Sequence, residues 1–344
     1  MHTIPQNFLA QYWHKLDSGL IQCDLCPQAC KLKEGQCGKC GVRRCHEQKL
    51  WTIYGKVSGL AIDPIEKKPL YHFLPGSQIL SFGTMGCNLS CKFCQNCDIS
   101  SSTTAHLKEL SPTAIVELAR QHDVNVAFTY NEPTIFIEYA ADVAKACQQA
   151  RINAVAVTNG FICSTPRTDF YRYIAAANVD LKAFTDSFYQ KITGARLQPV
   201  LDTLLYLKHH TKVWLEITWL LIPEENDTDQ EIDSATKWIV TNLGKDVPLH
   251  FSAFYPTWKM LDKPVTPPAT LLRARAIALG NGLNYVYTGN IYDPEGGHTY
   301  CHQCGKKIIG RNSYLVTDYN LTETGHCKFC HAKCAGVFAN QREL

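Results

Sequence analysis

The 344-residue sequence lacks several features that would place it in common functional classes. No run approaches eighteen apolar residues, which argues against a membrane-spanning helix. Its start, MHTIPQNFLAQYWHKLD, lacks the basic and apolar pattern of a signal peptide, so we expect a cytoplasmic protein with no membrane partner. The net charge is only +3, which is too small to indicate a nucleic-acid partner. The sequence also has no low-complexity tract.

Cysteine, by contrast, is abundant. The chain has 17 cysteines, an odd number, and no export signal, and both facts argue against a disulfide framework. Fifteen of them fall within residues 23–45, 87–97 and 301–334, and only Cys147 and Cys163 lie outside these groups. Local CxxC clusters are typical of metal sites, so we expect three cysteine-based metal sites in a reducing compartment.

Strand-like and helix-like segments alternate from about residue 78 to residue 292. The strand-like segments are ILSFGT (79–84), VNVAFTY (124–130), NAVAVTN (153–159), VDLKAF (179–184), KVWLEITWLLI (212–222), PLHFSAFY (248–255) and YVYTGN (285–290). Such near-continuous apolar strands are typical of a parallel sheet that is buried on both faces. The alternation therefore predicts an α/β fold, either a complete or partial (β/α) barrel or, as the alternative, a doubly wound open sheet.

Polar or reactive residues follow the predicted strands. The strand ends carry Cys87, Asn131, Glu132, Thr158, Asn159, Asp180, Lys182 and Tyr255. In (β/α) barrels, catalytic groups lie at the carboxyl ends of the strands. We therefore expect the functional site at this end of the sheet.

The segment GCNLSCKFCQNC (86–97) has the spacing Cys87-x3-Cys91-x2-Cys94. A structural zinc site needs two pairs of ligands that are set further apart. Three thiolates within eight residues instead fit one face of an iron–sulfur cubane, and they leave its fourth iron free to bind a substrate or cofactor. The spacing therefore favours a reactive iron–sulfur site. We interpret Cys97 as a packed or exposed cysteine outside this set.

This spacing after a first strand, with Phe93 before the last cysteine, resembles the radical S-adenosylmethionine (radical SAM) superfamily. The longer segments DPIEKKPLYHFLPGS (63–77) and GTMGCNLSCKFCQN (83–96) are similar to the radical SAM enzyme of the AmmeMemoRadiSam system. That enzyme is itself similar to pyruvate formate-lyase activating enzymes. The resemblance extends over essentially the whole chain, including both cysteine-rich flanks.

The resemblance implies a fold, cofactors and partners. The fold is a partial (β/α)6 TIM-like barrel, and Cys87, Cys91 and Cys94 hold a [4Fe–4S] cluster whose open iron binds SAM. Reductive cleavage of SAM then gives methionine and a 5′-deoxyadenosyl radical, which abstracts a hydrogen atom. The implied partners are SAM, a reductant such as flavodoxin or ferredoxin, and a protein substrate of the glycyl-radical type or proteins of the AmmeMemo system.

The resemblance also implies contacts to SAM. TYNEPT (129–134) stands where the superfamily has a glycine-rich segment with a glutamate, and here Tyr130 and Asn131 replace the glycines while Glu132 matches the acidic position. Capping of the next helix is the alternative role of Glu132. The implied contacts are Phe93, Asn131, Glu132, Thr158, Asn159, Asp180, Lys182 and His250. The alternatives are turn formation for Thr158 and Asn159, a buried Asp–Lys pair, and a hydrogen-bonded core histidine.

The C-terminal flank carries Cys301-x2-Cys304 and Cys327-x2-Cys330. Two CxxC pairs at this separation predict a zinc ribbon, with a rubredoxin-like iron site as the alternative. A unit this small has little core, so we expect the metal to contribute much of its folding free energy.

The N-terminal flank carries six cysteines. Its family-like pattern, Cys-x2-Cys-Pro-x2-Cys followed by Gly-x-Cys-Gly-Val-Arg, selects Cys23, Cys26, Cys30 and Cys40 as ligands. Cys37 and Cys45 are then left over. Four thiolates fit either zinc or a second iron–sulfur cluster, and the spacing is not that of a two-cluster ferredoxin, which favours zinc.

The sequence thus predicts three parts. Residues 1–75 form an N-terminal cysteine-rich segment and lead-in, residues 76–295 the radical SAM partial barrel, and residues 296–344 a zinc-ribbon or rubredoxin-like domain. The competing function is a zinc-ribbon module that binds nucleic acid or protein and carries a non-catalytic barrel. The small net charge and the absence of an RNA-binding signature argue against it.

Overall fold

The computed structural model describes residues 7–101 and 107–339. The N-terminal part contains the short strands β1 (Phe8–Leu9), β2 (Trp13–Lys15), β3 (Ile21–Cys23), β4 (Lys31–Leu32), β5 (Arg44–His46) and β6 (Lys49–Thr52). They pair as two small antiparallel sheets with the orders β1-β6-β5 and β2-β3-β4. Loops between these strands carry Cys26, Cys30 and Cys40.

A nine-stranded sheet forms the centre of the molecule. Its strands are β7 (Lys56–Pro64), β8 (Gln78–Gly83), β9 (Lys108–Glu109), β10 (Asn125–Phe128), β11 (Ala154–Thr158), β12 (Ala176–Asp180), β13 (Trp214–Leu221), β14 (Leu249–Ala253) and β15 (Val286–Gly289). Strands β8 and β10 to β15 are parallel and adjacent in chain order, while β7 is antiparallel to β8, and β9 to β7. This order lacks the reversal that marks a doubly wound sheet.

Helices connect the parallel strands. They are α1 (Cys97–Ser100), α2 (Pro112–Gln121), α3 (Ile137–Gln149), α4 (Ser164–Tyr171), α5 (Asp186–Phe188), α6 (Gln198–His210), α7 (Asp229–Leu243) and α8 (Pro268–Gly280). Neighbours in the chain pack together, α2 on α3, α3 on α4, α6 on α7 and α7 on α8. Right-handed connections between sequential parallel strands place such helices on one side of the sheet. The six expected strand–helix units are thus present, and β15 adds a seventh parallel strand.

Most boundaries follow the sequence pattern. Ser111 caps α2 as predicted, because its Oγ accepts a hydrogen bond from the Ala114 N–H at 3.1 Å. The fourth predicted strand, however, was placed too late: β12 begins at Ala176 and ends at Asp180 rather than spanning 179–184. Alanines favour helix locally, but Ala176 is fully buried between neighbouring strands, so packing overrides that preference.

The segment between β7 and β8 includes most of the DPIEKKPLYHFLPGS motif and packs against β12 and β13. The backbone N–H groups of Tyr71 and His72 donate to the Glu216 carboxylate on β13, at 3.0 and 2.8 Å. The Asn178 amide on β12 donates to the Pro69 carbonyl at 2.8 Å. The motif recognised in the sequence therefore has a structural role in this part of the fold.

The C-terminal part forms a small antiparallel sheet of β16 (Thr299–Tyr300), β17 (Lys307–Asn312) and β18 (Leu315–Tyr319). Arg311 on β17 attaches this small sheet to the segment between β7 and β8. Its guanidinium lies 4.1 Å from the centre of the Tyr71 ring and donates to the Tyr71 carbonyl at 2.7 Å. The same group pairs with the Glu66 carboxylate at 3.5 Å. In the described part of the chain, no helix is both long enough and apolar enough to cross a membrane.

Candidate cluster and cofactor site

Three predicted ligands, Cys87, Cys91 and Cys94, lie in one loop between β8 and α1. Backbone hydrogen bonds on both sides of Cys91 fix this loop: the Ser90 N–H donates to the Thr193 carbonyl at 2.8 Å, and the Lys92 N–H donates to the Ile192 carbonyl at 3.0 Å. Residues 189–193 form a π-helical turn. The loop is therefore held by a distant part of the chain and not by its own sequence alone.

Asn131 holds the start of the loop. Its Oδ1 accepts from the Thr84 N–H at 3.0 Å, and its Nδ2 donates to the Gly86 carbonyl at 2.9 Å. Gly86 has a φ of +84°, and a Cβ there would lie 2.1 Å from the Cys40 carbonyl oxygen. Only glycine fits this position, where the N-terminal segment touches the loop.

Two of the three thiols, those of Cys87 and Cys91, have raised pKa values. Burial raises the pKa of Cys87 well above its usual value, and Cys91 and Cys94 raise it further. Burial also raises the pKa of Cys91 to about 12, although the Lys182 ammonium opposes this change. The Leu89 N–H lies 3.4 Å from the Cys87 sulfur and donates to it. Partly buried thiols with a cation and an N–H donor beside them fit a metal–thiolate centre, because metal binding must displace the thiol protons.

The end of β11 meets the loop through two asparagines. The Asn159 Nδ2 donates to Asn88 Oδ1 at 2.9 Å and lies 3.9 Å from the Cys87 sulfur. The Asn88 Nδ2 in turn donates to the Phe161 carbonyl at 2.8 Å. The structure thus places the predicted residue Asn159 beside the first cysteine of the triplet, with its amide already hydrogen-bonded to protein.

Glu132 links β10 to β11. It is buried and accepts four hydrogen bonds, from the N–H and Oγ1 of Thr134, from Oγ1 of Thr158 and from the N–H of Asn159, at 2.7–2.9 Å. Burial raises the pKa of this carboxyl, while the donors act in the opposite direction. Glu132 caps the short helical turn Pro133–Phe136, which is the alternative role considered for it. Thr158 also donates to Glu132 and so has a structural partner.

Asp180 and Lys182 form an ion pair beside the triplet. The Lys182 Nζ lies 2.6 Å from Asp180 Oδ2 and 6.0 Å from the centre of the Phe93 ring. Strand β12 ends at Asp180, so Lys182 lies in the following loop and not within the strand that was predicted over 179–184. The loop nevertheless brings the Lys182 ammonium to the Asp180 carboxylate. It also brings this ammonium close enough to Cys91 to lower the pKa of that thiol.

His250 has different partners. Its Nε2 lies 2.7 Å from Glu216 Oε2, and its ring stacks on Tyr287 with the ring centres 4.9 Å apart. Both side chains of the ion pair are almost fully buried. The Nε2 of His250 therefore has a buried protein partner, as expected of a core histidine, and the contact of His250 to SAM stays a prediction.

The C-terminal cysteines form a compact metal-ligand set. The four sulfurs of Cys301, Cys304, Cys327 and Cys330 lie within 4.8 Å of one another. Cys301 and Cys330 are 3.6 Å apart, and Cys304 and Cys327 are 3.8 Å apart. Tetrahedral zinc with Zn–S bonds of about 2.3 Å places its sulfurs about 3.8 Å apart. These four thiols are therefore arranged to hold one metal ion.

The N-terminal ligands are arranged differently. Cys23, Cys26, Cys30 and Cys40 line one cavity, together with Arg43 and Asn88. The C-terminal sulfurs all lie within 4.8 Å of one another. Over residues 7–101 and 107–339, no other group of three or more candidate ligand atoms is packed that closely.

Sequence reasoning missed two residues of the site. Asn88 lies inside the cysteine motif, but only the fold reveals that its side chain meets β11. Tyr189, whose hydroxyl accepts from the Lys182 N–H at 3.0 Å, belongs to the π-helical turn behind the loop. Neither residue has a local pattern that predicts these long-range contacts.

Comparisons with known proteins agree with this geometry. A model of the radical SAM superfamily matches residues 82–235. The chain is 39% identical over 329 residues to an uncharacterized protein of Methanocaldococcus jannaschii. The alignment covers 94% of this chain and 98% of that protein. An alignment of this length reaches into both cysteine-rich flanks.

Two solved structures also match this chain. Streptococcus suis SuiB bound to S-adenosylmethionine matches with a TM-score of 0.50 at 16% identity, over 65% of this chain and 52% of SuiB. A domain of a pyruvate-formate lyase-activating enzyme from Bacteroides vulgatus matches with a TM-score of 0.43 at 16% identity, over 48% of this chain and 99% of that domain. This chain spans about half the length of SuiB.

Proposed function

Because the chain belongs to the radical SAM superfamily, we propose that it cleaves S-adenosylmethionine reductively and uses the resulting radical to abstract a hydrogen atom from a substrate. The observation that carries this proposal is the single loop that carries Cys87, Cys91 and Cys94 and lies beside a Lys–Asp pair. Cys87, Cys91 and Cys94 would hold a [4Fe–4S] cluster, which would supply the one electron that cleaves SAM to methionine and a 5′-deoxyadenosyl radical. The electron comes from a reductant of the flavodoxin or ferredoxin class.

The protein positions this chemistry through its loop anchors. Asn131 fixes the strand-side end of the cysteine loop, and the backbone bonds to Thr193 and Ile192 fix the part around Cys91. Asn159 and Glu132 form the adjoining wall and keep the ends of two strands together. These contacts support a preorganised site, in which little reorganisation is needed when the cofactors bind.

Lys182 and Asp180 are the proposed contacts to the methionine part of SAM. Their side chains are 16% and 29% exposed, so the pair is open to a ligand, unlike the closed Glu216–His250 pair. The Lys182 ammonium suits the SAM carboxylate, and the Asp180 carboxylate suits its amino group. The buried Phe93 ring lies beside the Lys182 ammonium. It covers one side of the proposed SAM contact and excludes water from it.

The proposal includes the overall architecture. We propose that the sequential parallel sheet curves into a partial barrel, because its strand order and single helix layer are those of (β/α) barrels. The C-terminal unit is proposed to be a zinc ribbon on the basis of its sulfur spacing. The similarity of residues 63–77 and 83–96 to the AmmeMemoRadiSam enzyme supports a substrate linked to that system, or a protein substrate as for activating enzymes.

The test is cofactor cleavage by anaerobically reconstituted protein. With dithionite and SAM, the wild type is expected to form 5′-deoxyadenosine, and single Cys→Ala changes at Cys87, Cys91 and Cys94 should abolish its formation. Cys97→Ala is the matched control, because this cysteine starts α1 and lies 3.9 Å from its neighbour Asp98. Formation of 5′-deoxyadenosine at the wild-type rate in a variant with all three Cys→Ala changes would overturn the proposal. A colourless wild-type protein that contains zinc alone would favour the alternative of a zinc-ribbon binding module.

A further inference from the structure

The N-terminal cysteine segment lies against the reactive loop. The Gln28 Nε2 donates to the carbonyls of Asn88 and Gly194, both at 2.9 Å, and the Lys39 Nζ donates to the Gly194 carbonyl at 2.6 Å. Asn88 directly follows the ligand Cys87, and it also lines the N-terminal cavity. The two cysteine sites are therefore neighbours, separated by about one residue of the loop.

Four of the six N-terminal cysteines share this cavity. Cys23, Cys26, Cys30 and Cys40 line it, and they are the four that the sequence pattern selects. Cys37 and Cys45 are not among its lining residues, and the Cys45 thiol instead lies 3.9 Å from the Glu34 carboxylate. The cavity lining thus contains the four cysteines that the sequence pattern selects and neither Cys37 nor Cys45.

The sulfur spacing distinguishes this set from the C-terminal one. A single zinc ion brings four sulfurs to about 3.8 Å from one another, as Cys301–Cys330 and Cys304–Cys327 are. In a cubane each thiolate binds a different corner iron, so the sulfurs stand roughly 6 Å apart around a central space. Among the described residues, the N-terminal sulfurs do not reach the close spacing and surround a cavity instead. The sulfurs of Cys87, Cys91 and Cys94 likewise do not form a group within 4.8 Å of one another.

The cavity wall also provides a hydrogen-bond donor for bound sulfur. The Lys39 N–H donates to the Cys30 sulfur at 3.5 Å. Backbone N–H···S bonds of this kind accompany and tune iron–sulfur clusters.

Arg43 adds an unpaired donor. Its side chain is 1% exposed, and its terminal nitrogens bond the Glu138 carboxylate and the Gln11 carbonyl, while its Nε has no partner. A buried donor without a partner is costly. Because Arg43 lines the same cavity, a negatively charged thiolate–sulfide centre there would accept from this N–H.

We propose that Cys23, Cys26, Cys30 and Cys40 hold a second iron–sulfur cluster, of the [4Fe–4S] type, beside the reactive loop. This replaces the expectation of zinc at this site. The proposal is independent of SAM cleavage, because these ligands differ from those of the reactive cluster. A fully ligated cluster has no open iron, so this centre carries electrons and does not bind SAM.

Metal analysis tests the proposal directly. Anaerobically reconstituted wild type is expected to contain about eight irons, about eight sulfides and about one zinc per chain, because each [4Fe–4S] cluster holds four of each atom and the C-terminal site holds zinc. About four irons with about two zinc ions would overturn it. The triple Cys→Ala variant at Cys87, Cys91 and Cys94 should keep about four irons and remain brown, with a colour that bleaches on reduction. A colourless triple variant with two zinc ions would contradict it as well.

Point variants identify the ligands. In the otherwise wild-type chain, Cys26→Ser should lower the iron content by about half. Cys37→Ser is the matched control, since Cys37 belongs to the same segment but does not line the cavity, and it should keep all the iron. Unchanged iron in Cys26→Ser, or the loss of a whole cluster in Cys37→Ser, would show that the ligands were misassigned. The wild-type metal count decides the issue even if a serine variant fails to fold.

Discussion

The Nζ of Lys182 lies 2.6 Å from the Oδ2 of Asp180, directly after the carboxyl end of β12 and beside the cysteine loop. Although burial acts in the opposite direction, the Asp180 carboxylate holds the pKa of Lys182 above its usual value. The lysine is therefore charged at neutral pH. Both side chains are partly exposed, so water or a ligand can reach either charge when its partner is removed.

The first prediction concerns this pair. Lys182→Ala should weaken SAM binding tenfold to a hundredfold, because one lost charge-assisted hydrogen bond is worth roughly 1.5–3 kcal/mol. The melting temperature should stay within a few degrees, since water can solvate the remaining carboxylate. The measurements are SAM titration and thermal unfolding of reconstituted protein.

Lys237→Ala provides the matched control. Lys237 pairs with Asp233 at 2.8 Å on the exposed face of α7, so its removal should change neither SAM affinity nor stability appreciably. A large fall in melting temperature for Lys182→Ala with unchanged SAM affinity would instead assign Asp180 and Lys182 to the core. Breaking a truly buried ion pair typically costs about 3–5 kcal/mol.

The second prediction concerns Glu132. Its carboxylate accepts four hydrogen bonds at a buried position between β10 and β11, so Glu132→Ala leaves several donors without a partner. Each such donor costs about 1–3 kcal/mol. We expect a loss of at least about 3 kcal/mol in unfolding free energy, together with loss of cluster iron because the Asn159–Asn88 contact shifts.

Chemical unfolding and iron analysis check this second prediction. Glu117→Ala, at an exposed position on α2, is the control and should leave both quantities unchanged. If Glu132→Ala folds with wild-type stability and loses only SAM affinity, the carboxylate acts on SAM rather than on the strand ends.

The third prediction concerns the C-terminal metal. Cys304→Ser should reduce zinc from about one to about zero per chain, because a four-thiolate site cannot hold zinc tightly with one ligand replaced. Cys334→Ala is the control: this thiol is buried near the site, at 3.5 Å from the Tyr285 hydroxyl, but lies outside the set of four. Zinc retained at full content in Cys304→Ser would contradict the ribbon assignment.

The sequence was informative wherever local spacing sets the structure. The Ser111 cap depends on residues a few positions apart, and the structure confirms it. The two C-terminal cysteine pairs come together as their spacing predicts. The cysteine triplet lies in one loop after β8, and its role as a ligand set stays a prediction. The parallel strands were recognisable because burial on both faces requires continuous apolar runs. The fourth strand was misplaced because alanine is compatible with both helix and strand, and only its neighbours in the sheet decide between them.

Contacts between distant residues were not predictable. Glu216 accepts from two backbone N–H groups more than a hundred residues away, and this same carboxylate pairs with His250. Nothing near residue 250 in the sequence reveals that partner, so a histidine on a strand remained compatible with a cofactor contact. The cavity that joins Arg43 to four cysteines likewise exists only after the chain has folded.

His72 gives the last prediction. It is fully buried between the C-terminal unit and the sheet, with Nδ1 2.6 Å from the Ala335 carbonyl and Nε2 2.6 Å from the Tyr287 hydroxyl. Burial lowers its pKa to about 4, from an ordinary value of about 6.5. The folded state therefore keeps His72 neutral, while the unfolded chain takes up a proton as the pH falls below about 6.5.

The unfolded state thus binds more protons than the folded state between about pH 6.5 and pH 4, and stability must fall as the pH falls through this window. From about pH 7 to about pH 5, His72 alone should cost about 2 kcal/mol of unfolding free energy. His72→Gln, whose amide can still donate to the Ala335 carbonyl and accept from Tyr287, should remove that part of the pH dependence. Denaturant unfolding at several pH values measures the difference in slope, with His122→Gln, at the exposed end of α2, as the control. Equal slopes for the wild type and His72→Gln would mean that His72 is charged in the folded protein.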